Sequence, residues 1–136
     1  SQGGILMDII TQAENAIKGI MVKDKFNNNV LLLKTGHIRK FLTSVNLVRD
    51  RVEVYKMQSA KPDTLPPELV TEVKFLKVKL MYLAGREKNI VGAFVEKSKL
   101  IEIIDGIGDS TERFTEFAKY VQALGAFHKF YGGKDK

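Results

Sequence analysis

The chain has 136 residues, 44% of them hydrophobic and 28% charged, which suits one folded domain with a single core. It contains no cysteine, which excludes disulfides, thiolate zinc sites and thiol nucleophiles and fits a reducing cytoplasm, where we expect the protein. The net charge of +6 favours a polyanionic partner, although many basic proteins bind none.

The first 34 residues are predicted to form a helix followed by a loop. We interpret Ser1–Gly3 as a cloning remnant, with no signal peptide evident. Apolar residues at helical spacing predict an amphipathic helix from Leu6 to Met21, able to dock on the rest of the chain or on a second copy. A polar break at 23–29 follows. The apolar run Val30–Leu33 could form a strand, but no partner strand is evident, so we expect an extended leader.

The remaining chain predicts four more helices separated by short connections, one of which holds all three prolines. Their expected limits are Thr35 to about Met57, Pro66 to about Arg86, Ile90 to Ile104 and Thr111 to Gly133. We therefore divide the chain into an N-terminal helix and loop leader, residues 1–34, and a helical bundle core, residues 35–136. The predicted fold class is all-α, a single-domain bundle of about five helices.

The last of these helices is expected to lie at the centre of the bundle. Two adjacent rows of apolar residues run along it, so it needs cover on more than one side. Asp109, Ser110 or Thr111 could cap its start, and Gly132-Gly133 would end it. We expect the basic tail after Gly133 to be mobile.

Catalytic and metal-binding patterns are absent from the sequence. The two histidines, His37 and His128, lie far apart and lack a second histidine at metal-ligand spacing. His128 falls on the apolar face of the last helix, where a satisfied, partly buried histidine is expected. Gly106-Ile107-Gly108 lacks the third glycine and the preceding strand of a dinucleotide fingerprint. We expect no metal, no cofactor and no enzymatic activity.

The cations are more informative, because several of them share helix faces. Phe75, Lys79, Tyr82 and Arg86 are separated by 4, 3 and 4 residues, which places them on one face of the third helix. A solvated basic face with packed aromatic side chains is the alternative interpretation. A second cluster surrounds the start of the second helix, where exposed backbone N–H groups would favour an anion. Its members are Lys34, His37, Arg39 and Lys40, with Arg49 further along.

Several stretches resemble the small subunit of type III-A CRISPR effector complexes, the small Csm subunit. They are KTGHIRKFL, VKLMYLAGRE, FVEKSKLIEIIDGIG and FAKYVQALGAFHKFYGGK, and together they cover roughly Leu33 to Lys134. The resemblance implies a small helical bundle that stacks in several copies and helps hold the guide RNA–target RNA duplex without cutting it. It also implies RNA contacts at Arg39, Lys79, Arg86 and Lys129. Tyr82, Phe127 and Tyr131 are expected to pack, the last at a subunit contact.

Two functions remain open from the sequence. The first is a non-catalytic structural subunit of a CRISPR ribonucleoprotein in antiviral defence, which binds the guide RNA–target RNA backbone through basic helix faces. Its partners would be guide RNA, target RNA and the backbone and large subunits of the Csm complex. The alternative is a helical protein–protein interaction module without direct RNA contact. We also expect a homodimer through the first or last helix, since a wide apolar face favours self-association.

Overall fold

The computed structural model describes the backbone of residues 2–136 and the side chains of residues 8–136. Ser1 and the side chains of Gln2 and Leu6, on which the expected remnant and the predicted start of the first helix fall, lie outside the described residues. The described chain forms six α-helices and one short hairpin. The helices are α1 (Gln2–Gly19), α2 (Thr35–Gln58), α3 (Pro67–Arg86), α4 (Val91–Ser98), α5 (Leu100–Asp105) and α6 (Thr111–Phe130). The all-α, single-domain prediction is confirmed.

Helix α6 is covered on several sides, as its two apolar rows predicted. It packs against α1 and contacts α2 and α5. Its buried side chains include Phe114, Phe117 and Tyr120, each at most 1% exposed. The Ser110 hydroxyl accepts a hydrogen bond from the backbone N–H of Arg113 at 3.1 Å, so Ser110 is the cap among the three candidates.

Helix α1 docks on the bundle of its own chain. Ala13, Ala16 and Ile17 are buried against the helices α6 and α4 that α1 packs on. The Tyr131 hydroxyl, just after α6, donates a hydrogen bond to the Glu14 carboxylate of α1, and this bond is the main reason that the pKa of Tyr131 is raised. Tyr131 therefore packs within the chain as expected, and its contact with another subunit stays a prediction.

A hairpin between α1 and α2 departs from the prediction of an unpaired leader. It consists of β1 (Val22–Lys23) and β2 (Asn29–Val30), which pair antiparallel with Val22 opposite Val30. The turn is closed by the Asp24 carboxylate, which accepts the N–H groups of Phe26 at 2.8 Å and of Asn28 at 2.9 Å. The partner strand was missed because it is only two residues long and carries no periodic signal.

The predicted helix from Ile90 to Ile104 is broken into α4 and α5. Lys99, between them, has a φ of 61°, in the left-handed region. The Tyr120 hydroxyl donates a hydrogen bond of 2.6 Å to the carbonyl of Ser98, which an unbroken helix would pair with a backbone N–H four residues later. A side chain of α6 thus satisfies the carbonyl at the break, which apolar periodicity does not indicate.

The buried hydroxyl of Tyr120 should make the free energy of unfolding depend on pH in the alkaline range. Burial raises the pKa of Tyr120 to about 12, whereas the pKa of an exposed phenol is about 10. Between about pH 10 and 12 the unfolded state loses a proton that the folded state keeps, so stability falls as pH rises. This contribution amounts to at most about 3 kcal/mol across the window.

The variant Tyr120→Phe should lose less stability than the wild type between about pH 8 and 11.5. At neutral pH it should be about 1–2 kcal/mol less stable, because the Ser98 carbonyl loses its buried partner. Urea unfolding followed by circular dichroism measures the free energy of unfolding of both proteins at neutral pH and at the two ends of the alkaline range. The same loss in both proteins would contradict the assignment to Tyr120.

Candidate nucleic-acid interface

An open groove runs between α2 and α3 over most of their length. The two helices are antiparallel, because Ser44 of α2 contacts Lys79 of α3, whereas Arg51, further along α2, pairs with Glu72, nearer the start of α3. Their buried faces include Phe41 and Val45 of α2 and Leu76 and Leu80 of α3. The exposed shoulders of both helices form the sides of the groove. We call this feature the α2–α3 groove.

One end of the α2–α3 groove, which we call the basic end, is a cleft of about 640 Å³. Its lining residues are Arg39, Lys40, Thr43, Ser44, Val78, Lys79, Tyr82, Leu83 and Arg86. Two of its cations therefore come from the start of α2 and two from the second half of α3. The antiparallel arrangement brings together residues that lie about forty positions apart in the sequence.

The four cations of the basic end are all exposed, and no acid of the described residues pairs with them. Lys79 Nζ donates a hydrogen bond of 2.8 Å to the Ser44 hydroxyl across the groove. The guanidinium carbon of Arg86 lies 5.9 Å from the centre of the Tyr82 ring. Among the described residues, no carboxylate lies within ion-pair distance of Arg39, Lys40, Lys79 or Arg86. Their mutual repulsion favours an anion in the cleft.

The groove continues beyond the basic end as a second, less charged cleft of about 230 Å³.

 This second cleft adjoins the basic end and shares Ser44 and Lys79 with it. It also holds an ion pair between Arg51 and Glu72, so its cation is compensated. A separate cleft of about 410 Å³ lies outside the α2–α3 groove, beside Lys119 of α6. Uncompensated positive charge within the groove is thus confined to the basic end.

The other four predicted residues do not line the basic end. Arg49 is half-buried and lies 3.9 Å from the carboxylate of its neighbour Asp50. Lys129 is exposed on α6. Lys34 and His37 lie at the start of α2, where Nδ1 of His37 accepts a hydrogen bond of 2.9 Å from the backbone N–H of Lys34. The structure therefore brings together four of the eight cationic or histidine candidates.

The start of α2 is closed by the C-terminal segment, which corrects two expectations. The backbone N–H groups of Thr35 and Gly36 donate to the carbonyls of Lys134 and Asp135, each at 2.9 Å. These N–H groups are therefore not free to bind an anion, and the segment after Gly133 is docked rather than mobile. Any anion at this end of the groove must be held by side chains.

His128 is a buried, satisfied histidine, as its place on the apolar face of α6 predicted. The side chain is 6% exposed, and Nε2 lies 2.6 Å from the carbonyl of Leu33. Among the described residues, no group of three His, Cys, Asp or Glu side chains is placed to hold a metal ion. No helix within the same residues is long and apolar enough to cross a lipid bilayer.

Comparison with known proteins decides the family. The family model Csm2 Type III-A matches residues 9–134. The chain belongs to the Csm2 family. It is 37% identical over 129 residues to the CRISPR system Cms protein Csm2 of Mycobacterium tuberculosis (strain CDC 1551 / Oshkosh), with 95% of each chain covered. It is 35% identical over 122 residues to the protein of the same name from Streptococcus thermophilus, covering 90% of this chain and 92% of the relative.

The Csm2 match extends the resemblance noted in the sequence. The stretches that carried it begin near Leu33, whereas the family model begins at residue 9, within α1. A third relative, the Csm2 of Enterococcus italicus, is 32% identical over 101 residues, with 73% of this chain and 68% of the relative covered. Helix α1 is thus part of the Csm2 fold, in agreement with its packing on α6.

Sequence reasoning missed part of the groove in this Csm2-family chain. Thr43 and Ser44 line the basic end one turn after Arg39 and Lys40, and this i to i+4 spacing could have indicated them. Tyr82 was expected to pack, but its side chain is 65% exposed. That expectation was wrong because Tyr82 points away from the leucine stripe of α3, on the side that the groove leaves open.

Proposed function

We propose that this Csm2-family chain is a structural, non-catalytic subunit of a type III-A CRISPR ribonucleoprotein in the cytoplasm. Membership of the family supports a place in the Csm complex. In this proposal the α2–α3 groove binds the sugar–phosphate backbone of the guide RNA–target RNA duplex in antiviral defence. The other partners are the backbone and large subunits of the complex.

One observation carries the RNA-binding part of the proposal. Four cations from two helices converge on an open cleft, and no carboxylate of the described residues pairs with them. Phosphates supply the missing charge, and the planar guanidinium groups of Arg39 and Arg86 suit bidentate contacts with phosphate oxygens. Such contacts position an RNA strand without reading its sequence.

We expect the affinity for RNA to fall when cations of the basic end are removed. In the assembled complex, Arg39→Ala and Arg86→Ala should each weaken target RNA binding by about three- to tenfold. Each change should also make the logarithmic dependence of affinity on salt less steep by about one unit. Filter binding or fluorescence anisotropy at several salt concentrations measures both effects.

The chain offers a matched control for charge alone. Lys40→Ala and Lys119→Ala remove the same charge from exposed positions, one in the basic end and one on α6 outside the α2–α3 groove. Only Lys40→Ala should weaken RNA binding, and circular dichroism should show that both variants remain folded. Equal effects of the two variants, or no effect of either arginine change, would overturn the proposed surface.

A second candidate function is a protein–protein interaction module without RNA contact, which exposed apolar side chains favour. Met81 of α3 is 54% exposed and Phe130 of α6 is 79% exposed. Crosslinking the complex with photoreactive RNA separates the two functions. Adducts on the peptide that contains Lys79 support RNA binding, and adducts confined to other subunits support the module.

We also propose that the chain forms a homodimer through α1 or α6. Much of the apolar face of each helix is used within the chain, where α1 packs on α6. The exposed apolar surface on these helices includes Ile10, which is 47% exposed, and Phe130. A second copy would therefore bind at those positions.

A further inference from the structure

The exposed face of α3 alternates aromatic and cationic side chains. Phe75, Lys79, Tyr82 and Arg86 follow one another in this order, each about one turn after the last. Phe75 is 55% exposed and Tyr82 is 65% exposed. The two rings are seven residues apart, about 10 Å along the helix axis.

Tyr82 and Arg86 form a pair at the rim of the basic end. The guanidinium carbon of Arg86 lies 5.9 Å from the centre of the Tyr82 ring. Among the hydrogen bonds of the described residues, none is made by the Tyr82 hydroxyl. The ring is therefore held by its neighbour on the helix and offers flat surface to the groove.

We propose that Tyr82 with Arg86 is a stacking platform for an unpaired RNA base, with Phe75 as a second platform further along the α2–α3 groove. This inference rests on the proposed function and narrows its ligand. Where the guide RNA–target RNA duplex meets the basic end, one strand is unpaired at the nucleotide that reaches Tyr82. Lys79, between the two rings, and Arg39 and Lys40 on the opposite side hold its phosphates.

The physical basis is the combination of flat rings and uncompensated cations in one cleft. Aromatic rings stack on any base, and a positive groove tracks the backbone, which is how proteins bind single strands without reading sequence. Bases inside a regular A-form helix are stacked on one another and cannot reach a protein ring. A fully paired duplex would therefore use the cations and leave Tyr82 and Phe75 without a ligand.

An apolar protein segment fits the same cleft less well. It would cover Val78 and Tyr82, but it would also remove the charges of Lys79 and Arg86 from water without supplying an anion. A single RNA strand supplies phosphates for the cations and bases for the rings. Charge thus favours RNA over a protein occupant of this site.

The test uses the full chain and two RNA dodecamers at low salt. One carries 2-aminopurine among uridines, and the other has the same length with abasic sites in place of its bases. The wild type should bind the base-bearing RNA about tenfold more tightly than the abasic RNA, with a change in 2-aminopurine fluorescence. Tyr82→Leu should remove most of this difference, whereas Tyr82→Phe, which keeps the ring, should retain it.

Phe130→Leu is the control, because it alters an exposed aromatic residue on α6 outside the groove. It should leave both affinities unchanged. If wild type and Tyr82→Leu bind both RNAs equally well while Arg39→Ala still weakens binding, the platform is wrong and the RNA-binding function stands. If the wild type binds neither RNA, both fail. Loss of another Csm subunit from the complex by Tyr82→Leu, with RNA affinity intact, would assign the ring to a protein contact and overturn the platform.

Discussion

Replacing Phe114 with alanine is expected to lower the free energy of unfolding by about 4 kcal/mol. Phe114 is fully buried on α6, and its ring centre lies 5.9 Å from that of Phe117. The change removes apolar contacts and leaves a cavity that surrounding helices cannot fill without moving. Urea unfolding followed by circular dichroism at 222 nm measures the loss.

The control replaces a second phenylalanine of α6, Phe130, with alanine. Phe130 is 79% exposed, so Phe130→Ala should change the free energy of unfolding by less than about 0.5 kcal/mol. The comparison separates burial from helix propensity, since both variants place alanine in α6. A loss of under about 1 kcal/mol for Phe114→Ala would contradict the burial of this side chain in the core.

Gly133→Ala is expected to destabilise the protein by about 2 kcal/mol, a large effect for one added methyl group. A Cβ at Gly133 would overlap the ring of His128. The ring cannot turn aside without breaking the hydrogen bond from Nε2 to the Leu33 carbonyl. The chain would instead release the segment after Gly133, which uncovers the N–H groups of Thr35 and Gly36.

Gly125→Ala is the matched substitution, because Gly125 lies within α6 and an added Cβ there would meet no atom within 4 Å. It should stabilise the protein by about 0.5–1 kcal/mol, since alanine favours a helix more than glycine does. Urea unfolding should therefore shift in opposite directions for the two variants. Faster amide hydrogen exchange at Thr35 and Gly36 should accompany Gly133→Ala only. Protection of both amides in that variant would contradict the docking of the C-terminal segment.

The long helices could be predicted from the sequence because each buries a continuous stripe. The limits found for α3 and α6 lie within a few residues of those expected from apolar spacing, proline and glycine. The two-residue strands and the break at Lys99 could not be predicted in this way. Both depend on particular hydrogen bonds, from the Asp24 carboxylate and the Tyr120 hydroxyl, which leave no periodic trace.

Half of the candidate site followed from helical spacing, because Lys79 and Arg86 had to share a face of α3. That this face meets Arg39 depends on the antiparallel packing of α2 and α3, which the sequence did not specify. The occupied N–H groups at the start of α2 depend on residues at 134 and 135, far away in sequence. The RNA-binding roles of all eight residues stay predictions.

The packing of α1 on α6 also bears on how the protein is made. The apolar face formed by Ala13, Ala16 and Ile17 has its principal cover in α6. Ribosomes add about 5–20 residues per second, and roughly 90 residues separate Ile17 from Thr111, so α1 leaves the ribosome roughly 5–18 s before α6. During this interval α4 is made and can cover part of the apolar face of α1, but the cover that α6 supplies is missing. We therefore expect chaperone binding to the nascent chain to raise the yield of folded protein.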